Sequence, residues 1–178
     1  MNRLLAFYLG SHPDDSGRML AEILRQDDLW LELAHDYIQW IFPLSEPSRV
    51  NQDAPLVDLA TAALFRDDEL LKRHLMASYM RMLAFFGLKR STAGEVTKAM
   101  NWDARKADWF TEDSHNSLRI TRILKSLSLL GLRDEAQEFG RTLARLCAEE
   151  PDAGIHPRSQ AFWLDAVRTA GQARSDSA

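Results

Sequence analysis

Hydrophobic residues return every three or four positions along most of the chain, the period of an amphipathic helix. Leu20, Ile23 and Leu24 predict a short helix over about 16–25, with Asp15 or Ser16 placed to cap it. Asp27 opens a second helix that runs to about Phe42, where Pro43 stops it. The stretch 44–54 reads as an ordered loop. Pro55 sits at a favoured first helical position and predicts a helix through about Phe65. Asp67, Asp68 and Glu69 suit the positive end of the next helix, whose inward stripe is Leu71, Leu75, Tyr79, Met82, Leu83 and Phe86, ended by Gly87.

The pattern then weakens. Residues 89–94 read as a loop, and 95–100 suit helix or strand equally. Asn101 can cap a helix carrying Trp102, Ala104, Ala107 and Trp109. Periodicity returns with Ile120, Ile123, Leu124, Leu127 and Leu130, breaks at Gly131, and resumes over about 133–148 and after Pro157. The expected fold is therefore all-α: an irregular bundle of about seven or eight antiparallel helices in one domain over 1–170, with a disordered tail over 171–178. Two helix ends are spelled alike, Phe86-Gly87-Leu88 and Leu130-Gly131-Leu132, which admits stacked helical hairpins as a variant.

Composition supports this. Leu and Ala together number 48, Val and Ile only 10, a balance that disfavours sheets. The single cysteine, Cys147, excludes an intrachain disulfide and a cysteine-based zinc site. No apolar run is long enough to span a bilayer, and Leu4 to Leu9 is too short for a secretion signal, so a cytoplasmic protein is expected. Charge is unevenly spread: residues 1–70 carry net −8, residues 71–148 net +6, and the rest net −2. The two regions can attract one another, or the basic one can face an anionic partner. Acidic residues interrupt the basic stretch, so no nucleic-acid partner is expected.

Two segments invite chemistry. Over 27–42, a helical wheel puts Glu32, His35, Asp36 and Gln39 on one polar face, with Leu29, Leu33, Tyr37 and Trp40 on another. This face is either solvated or the lining of a groove in which Asp36 meets a peptide amine and Trp40 or Trp30 supplies an aromatic wall. Adjacent His35 and Asp36 also suit a divalent-metal hydrolase, with His12 upstream and Asp103, Asp108 or Asp113 downstream. The zinc spacings His-x3-His and His-Glu-x-x-His are absent, as is a glycine-rich phosphate loop. In the second segment Asn116 can cap a helix, and Arg119 and Arg122 lie one turn apart opposite the core stripe, a spacing suited to a carboxylate or phosphate. These arginines either pair with the acidic first third of the chain or await a ligand.

The spelling of these segments is more distinctive than their period. Phe7-Tyr8-Leu9-Gly10 leads to Pro13-Asp14 and Gly17-Arg18. His35-Asp36-Tyr37-Ile38-Gln39-Trp40-Ile41-Phe42-Pro43-Leu44 follows, then Ala54-Pro55-Leu56 and Arg81-Met82-Leu83. His115-Asn116-Ser117-Leu118-Arg119-Ile120-Thr121-Arg122-Ile123-Leu124 and Phe162-Trp163 complete the set. In this order, over about 7–168, the chain resembles the conserved region of the opioid growth factor receptor family. The resemblance implies an α-helical domain and receptor activity toward an opioid peptide, with association to membranes, chiefly the nuclear one. The expected role is thus binding of a peptide or protein segment without a cofactor or metal, rather than catalysis. The candidate ligand-binding residues are His35, Asp36, Gln39, Trp40, His115, Asn116, Arg119 and Arg122. A metal-dependent hydrolase and a protein-interaction adaptor are the alternatives.

Overall fold

A computed structural model describes residues 2–48, 51–112 and 114–168. Among them, ten α-helices, a 3₁₀ turn and one two-stranded hairpin follow in order, so the fold is predominantly α. The expected tail over 171–178 lies outside the described residues.

The first helix, α1 (Arg3–Tyr8), is little more than a turn and a half, and the periodic pattern does not announce it. Asn2 caps it through a 2.9 Å bond from the Leu4 amide. The helix expected over 16–25 begins only at Leu20, as α2 (Leu20–Arg25), where Glu22 reaches back to the Met19 amide at 2.7 Å. Asp15 and Ser16 do not cap it. The Ser16 and Arg18 amides instead bond to the Asp14 carboxylate, folding 14–18 into a turn.

The helix expected over 27–42 is divided. α3 (Asp28–Leu33) is capped by Asp27, and α4 (Ile38–Ile41) is a single turn. His35 and Asp36 lie in the break between them, not on a helix face. Leu44 and Leu56 form an isolated parallel bridge, and the Val57 amide donates to the Leu44 carbonyl at 2.9 Å. Pro55 therefore precedes the next helix without opening it. α5 (Leu59–Asp67) starts from Asp58, whose carboxylate accepts from the Thr61 amide at 2.7 Å.

α6 (Glu69–Phe85) is capped by Asp68 and packs against α1, α2 and α5. It ends at Gly87, whose φ of +72° is left-handed. A Cβ there would meet the Trp102 backbone at 3.0 Å and Arg105 Cβ at 2.9 Å, so glycine is required by space as well as by conformation. The undecided segment is a hairpin: β1 (Leu88–Arg90) pairs antiparallel with β2 (Val96–Lys98), Lys89 opposite Thr97. The two helix ends spelled alike thus lead to different things, a β-hairpin after Gly87 and a helical hairpin after Gly131.

α7 (Trp102–Trp109) starts without a side-chain cap from Asn101. α8 (Asn116–Leu129) and α9 (Arg133–Glu149) form the helical hairpin, in which the Leu132 amide closes back on the Leu127 carbonyl at 2.8 Å. α10 (Pro157–Arg168) packs on both. One connected core runs from Leu4 to Ala166 and is dense in aromatics: Phe7, Tyr8, Trp40, Phe65, Phe86, Trp109 and Phe139 are all essentially inaccessible. The Tyr8 hydroxyl, pushed up by burial, donates to the Ile41 carbonyl at 2.7 Å and ties α1 to α4.

The acidic and basic regions meet at Asp28 with Arg81, Glu32 with Arg119 and Glu46 with Lys125, and further pairs lie outside the acidic region. Arg90 forks onto Glu135 at 2.7 and 2.8 Å, and Glu150 accepts from Lys98, Lys106 and the Trp102 indole at 2.8 to 3.0 Å. Hydrogen bonds from the two lysines hold the Glu150 carboxyl down at about 2.

Candidate functional site

The break between α3 and α4 is held open from outside. A helix leaves its last carbonyls without partners. Here Arg119, one turn into α8, supplies them: its Nη2 donates to the Glu32 carbonyl at 3.2 Å and to the Ala34 carbonyl at 2.8 Å. The Tyr37 hydroxyl donates to the Leu31 carbonyl at 3.1 Å. With its amide oriented as its neighbours demand, Gln39 donates to the His35 and Asp36 carbonyls at 3.2 and 3.1 Å. Further along, Arg122 Nη1 donates to the Phe42 carbonyl at 3.1 Å and the Ser126 hydroxyl to the Pro43 carbonyl at 2.9 Å. The side of α8 that carries Arg119, Arg122 and Ser126, flanking the core stripe and not opposite it, therefore lies against 32–43.

Glu32 anchors the start of α8. Its carboxylate stands 3.1 Å from His115 Nε2, 3.2 Å from Asn116 Nδ2 and 3.8 Å from Arg119 Nη1. Asn116 is fully buried inside the helix instead of capping it: its Oδ1 accepts from Arg119 at 3.2 Å, and its own amide bonds to Ser114 Oγ. The ring of His115 lies against that of His35, centroids 5.2 Å apart. Burial holds the His115 imidazole below the ordinary histidine value; Glu32 opposes the shift, and Arg119 and His35 add to it. The proton is thus disfavoured where a second histidine and a guanidinium face the ring.

Between α8 and the segment 35–48 runs a groove of about 410 Å³. Ile38, Leu44, Pro47 and Leu118 give it apolar walls. His35, Gln39 and His115 close one end; Arg119, Arg122, Lys125 and Glu46 supply charge. Lys125 and Glu46 pair at 2.6 Å, which lowers the Glu46 carboxyl. Arg122 is half-buried, and no described carboxylate comes within ion-pair distance of it. Burial draws its guanidinium below the ordinary arginine value, with Glu46 opposing from a distance. A second hollow of about 430 Å³ lies across the helix, bounded by Ser117, His156, Arg158 and Phe162, and shares His115, Leu118 and Thr121 with the first. A larger hollow of about 580 Å³ lies between α9 and α10, and none of the eight candidate residues borders it.

Of the eight candidate residues, His35, Gln39, His115, Arg119 and Arg122 border the groove. Asn116 lies beneath it. Asp36 and Trp40 do not reach it: with 34–37 non-helical, Asp36 no longer shares a face with Gln39, and Trp40, which the helical wheel already sets on the other face, is in the core. Asp36 turns to the N-terminal loop, accepting from Ser16 Oγ at 2.7 Å and Arg18 Nη1 at 3.0 Å. Burial raises its carboxyl, but these bonds outweigh it and the net shift is downward. Trp40 is a core residue, its ring 5.1 Å from that of Phe7 and 5.4 Å from the Arg3 guanidinium carbon. The motif pieces Pro13-Asp14, Gly17-Arg18 and Asp36 thus meet: Arg18 bridges the buried Asp14 at 2.7 Å and Asp36 at 3.0 Å. Their common presence in the resemblance was the only sequence signal for that cluster.

A metal centre at His35-Asp36 has no convergent donors. Both Asp36 oxygens are occupied, His35 Nδ1 lies 2.7 Å from the Leu33 carbonyl, and His12 Nδ1 lies 2.6 Å from the Pro13 carbonyl. Asp103 and Asp108 pair with Lys106 and Arg105, and Asp113 lies outside the described residues. Among the described residues no three His, Cys, Asp or Glu side chains gather as a metal site, and no helix is long and apolar enough to cross a membrane.

This combination of a helical frame with the two motif segments built into one groove is where comparison with known proteins becomes informative. A family model described as "Opioid growth factor receptor (OGFr) conserved region" matches residues 3–175. The chain is 38% identical to the human opioid growth factor receptor over 154 residues, covering 81% of this chain and 21% of that protein. It is 40% identical to the mouse receptor over 122 residues (67% of this chain, 18% of the relative) and 39% identical to the rat opioid growth factor receptor-like protein 1 over 132 residues (71% and 28%). The chain belongs to the opioid growth factor receptor family, and it spans between about a fifth and just over a quarter of the length of these relatives. No solved structure matches it.

Proposed function

We propose that this domain is a receptor-like binding module that takes a peptide or protein segment in the groove between α8 and residues 35–48. The observation that carries the reading is the composition of that groove. Apolar walls from Ile38, Leu44 and Leu118 stand beside polar groups from His35, Gln39, His115 and Arg122, at a volume suited to a few amino-acid residues. Such a surface buries apolar side chains while offering donors and acceptors to a main chain. The human and mouse relatives are named opioid growth factor receptor, which makes that peptide the first ligand to try.

The test is a calorimetric titration of the chain with opioid growth factor, joined to amide chemical-shift mapping. Binding with shifts concentrated on 35–48 and 115–125 is expected. Binding with shifts elsewhere would overturn the groove assignment. If this peptide does not bind but unrelated short peptides do, the ligand changes and the groove reading stands; if none binds, the reading fails.

A further inference from the structure

We propose that the groove reads the free C-terminus of its ligand, with Arg122 receiving the terminal carboxylate and Leu44 and Leu118 receiving the last side chain. The inference rests on the reading of the groove as a peptide site and names what part of the peptide enters it. The three cations of the groove are not equivalent. Arg119 is spent on the Glu32 and Ala34 carbonyls and has Glu32 at 3.8 Å. Lys125 is neutralised by Glu46 at 2.6 Å. Arg122 gives one N–H to the Phe42 carbonyl and meets no described carboxylate within ion-pair distance, although it is half-buried. A guanidinium has five donors in a planar fork that matches a carboxylate. A desolvated cation without a counter-ion is costly; an incoming carboxylate removes that cost.

The apolar wall fixes what accompanies the anion. Leu118 stands about one turn before Arg122 on the same helix, a rise of about 6 Å, and is 70% exposed. A terminal residue presents a carboxylate and a side chain from the same Cα, which suits a cation and an apolar wall one turn apart. The preceding residues can cross the Leu118 and Thr121 ridge into the second hollow, where Phe162 is exposed.

The experiment uses two synthetic random octapeptide libraries, identical except that one ends in a free carboxylate and the other in a carboxamide. The immobilised chain selects from each, and the best sequences are remade in both forms for fluorescence-polarisation titration. The expected result is enrichment of apolar last residues from the acid library and about tenfold tighter binding of acid over amide, one decade in Kd. Arg122→Gln keeps a donor for the Phe42 carbonyl while removing the charge, and should abolish the preference. Leu118→Glu is a surface change that places a carboxylate at i,i+4 from Arg122; it should also abolish the preference, and it carries the test if Arg122→Gln does not fold. Equal binding of acid and amide overturns this inference and leaves the peptide reading intact. Enrichment of Asp or Glu from the amide library overturns it in favour of a side-chain carboxylate. An acid preference that survives both substitutions overturns the assignment to Arg122. No binding from either library overturns the peptide reading itself.

Discussion

Arg119 Nη2 lies 2.8 Å from the Ala34 carbonyl, a bond across 85 residues of sequence that closes the C-terminus of α3 with a side chain of α8. Arg119 is 5% exposed. Removing it leaves the Glu32 and Ala34 carbonyls without their donor inside the protein and takes a cation from the Glu32 carboxylate, which keeps Asn116 and His115.

Arg119→Ala should therefore lower folding stability by about 2–4 kcal/mol. Arg122→Ala, which frees one carbonyl and relieves an unpaired cation, should cost about 1 kcal/mol or less. Chemical denaturation of the two variants side by side checks this. Equal losses would show that Arg122 is as much a structural group as Arg119.

His115 sets a pH dependence. Its folded pKa lies below the ordinary value because burial, aided by Arg119 and His35, disfavours the cation more than Glu32 favours it. Above the ordinary histidine value the ring is neutral folded and unfolded, and the full stability is present. As pH falls below it the unfolded chain takes the proton first, and stability declines until the folded pKa is passed. Denaturation midpoints should fall between pH 7 and pH 5, and the fall should be shallower in His115→Gln. A His115→Gln slope equal to that of the parent protein would remove His115 as the cause.

Gly87→Ala should be among the most damaging single substitutions, at about 2–4 kcal/mol. The left-handed φ of +72° and the 3.0 Å approach to the Trp102 backbone cannot both be relieved without separating α6 from α7. A melting temperature unchanged in this variant would mean that the two helices are not held at this spacing.

Divalent metal should not bind at His35-Asp36. Dialysis against Co²⁺ or Mn²⁺ followed by metal analysis should return no stoichiometric ion, and His35→Ala should not alter the result. One equivalent of tightly held metal, lost in that variant, would revive the hydrolase reading.

The long helices were legible in the sequence because their stripes bury against neighbours along their whole length: the inward positions of α6 and α8 from Leu71 to Phe86 and Ile120 to Leu130 are all buried. The break at 34–37 was not. Leu29, Leu33, Tyr37 and Trp40 keep helical spacing without glycine or proline, and what interrupts them is a set of carbonyl captures by Arg119, Tyr37 and Gln39. The Arg119 bonds come from 85 and 87 residues away in sequence and leave no local mark. The same break explains why Gln39 stayed at the groove while Asp36 left it for Ser16 and Arg18. The hairpin at 88–98 was illegible for a different reason: with three residues per strand, periodicity has nothing to count.

The bonds from Arg119, Arg122 and Ser126 to 32–43 all end on main-chain oxygens, those of Glu32, Ala34, Phe42 and Pro43. Every residue type offers that same oxygen. These four bonds are consequently blind to side-chain identity, so that the apolar groove positions Ile38, Leu44 and Pro47 can be exchanged without breaking them, whereas Gln39 and Glu46 hold the segment through their own side chains. One helix acts as a fixed jig and the apolar positions of the opposing strip as interchangeable inserts, so that a change of ligand can be written there while the frame keeps its shape.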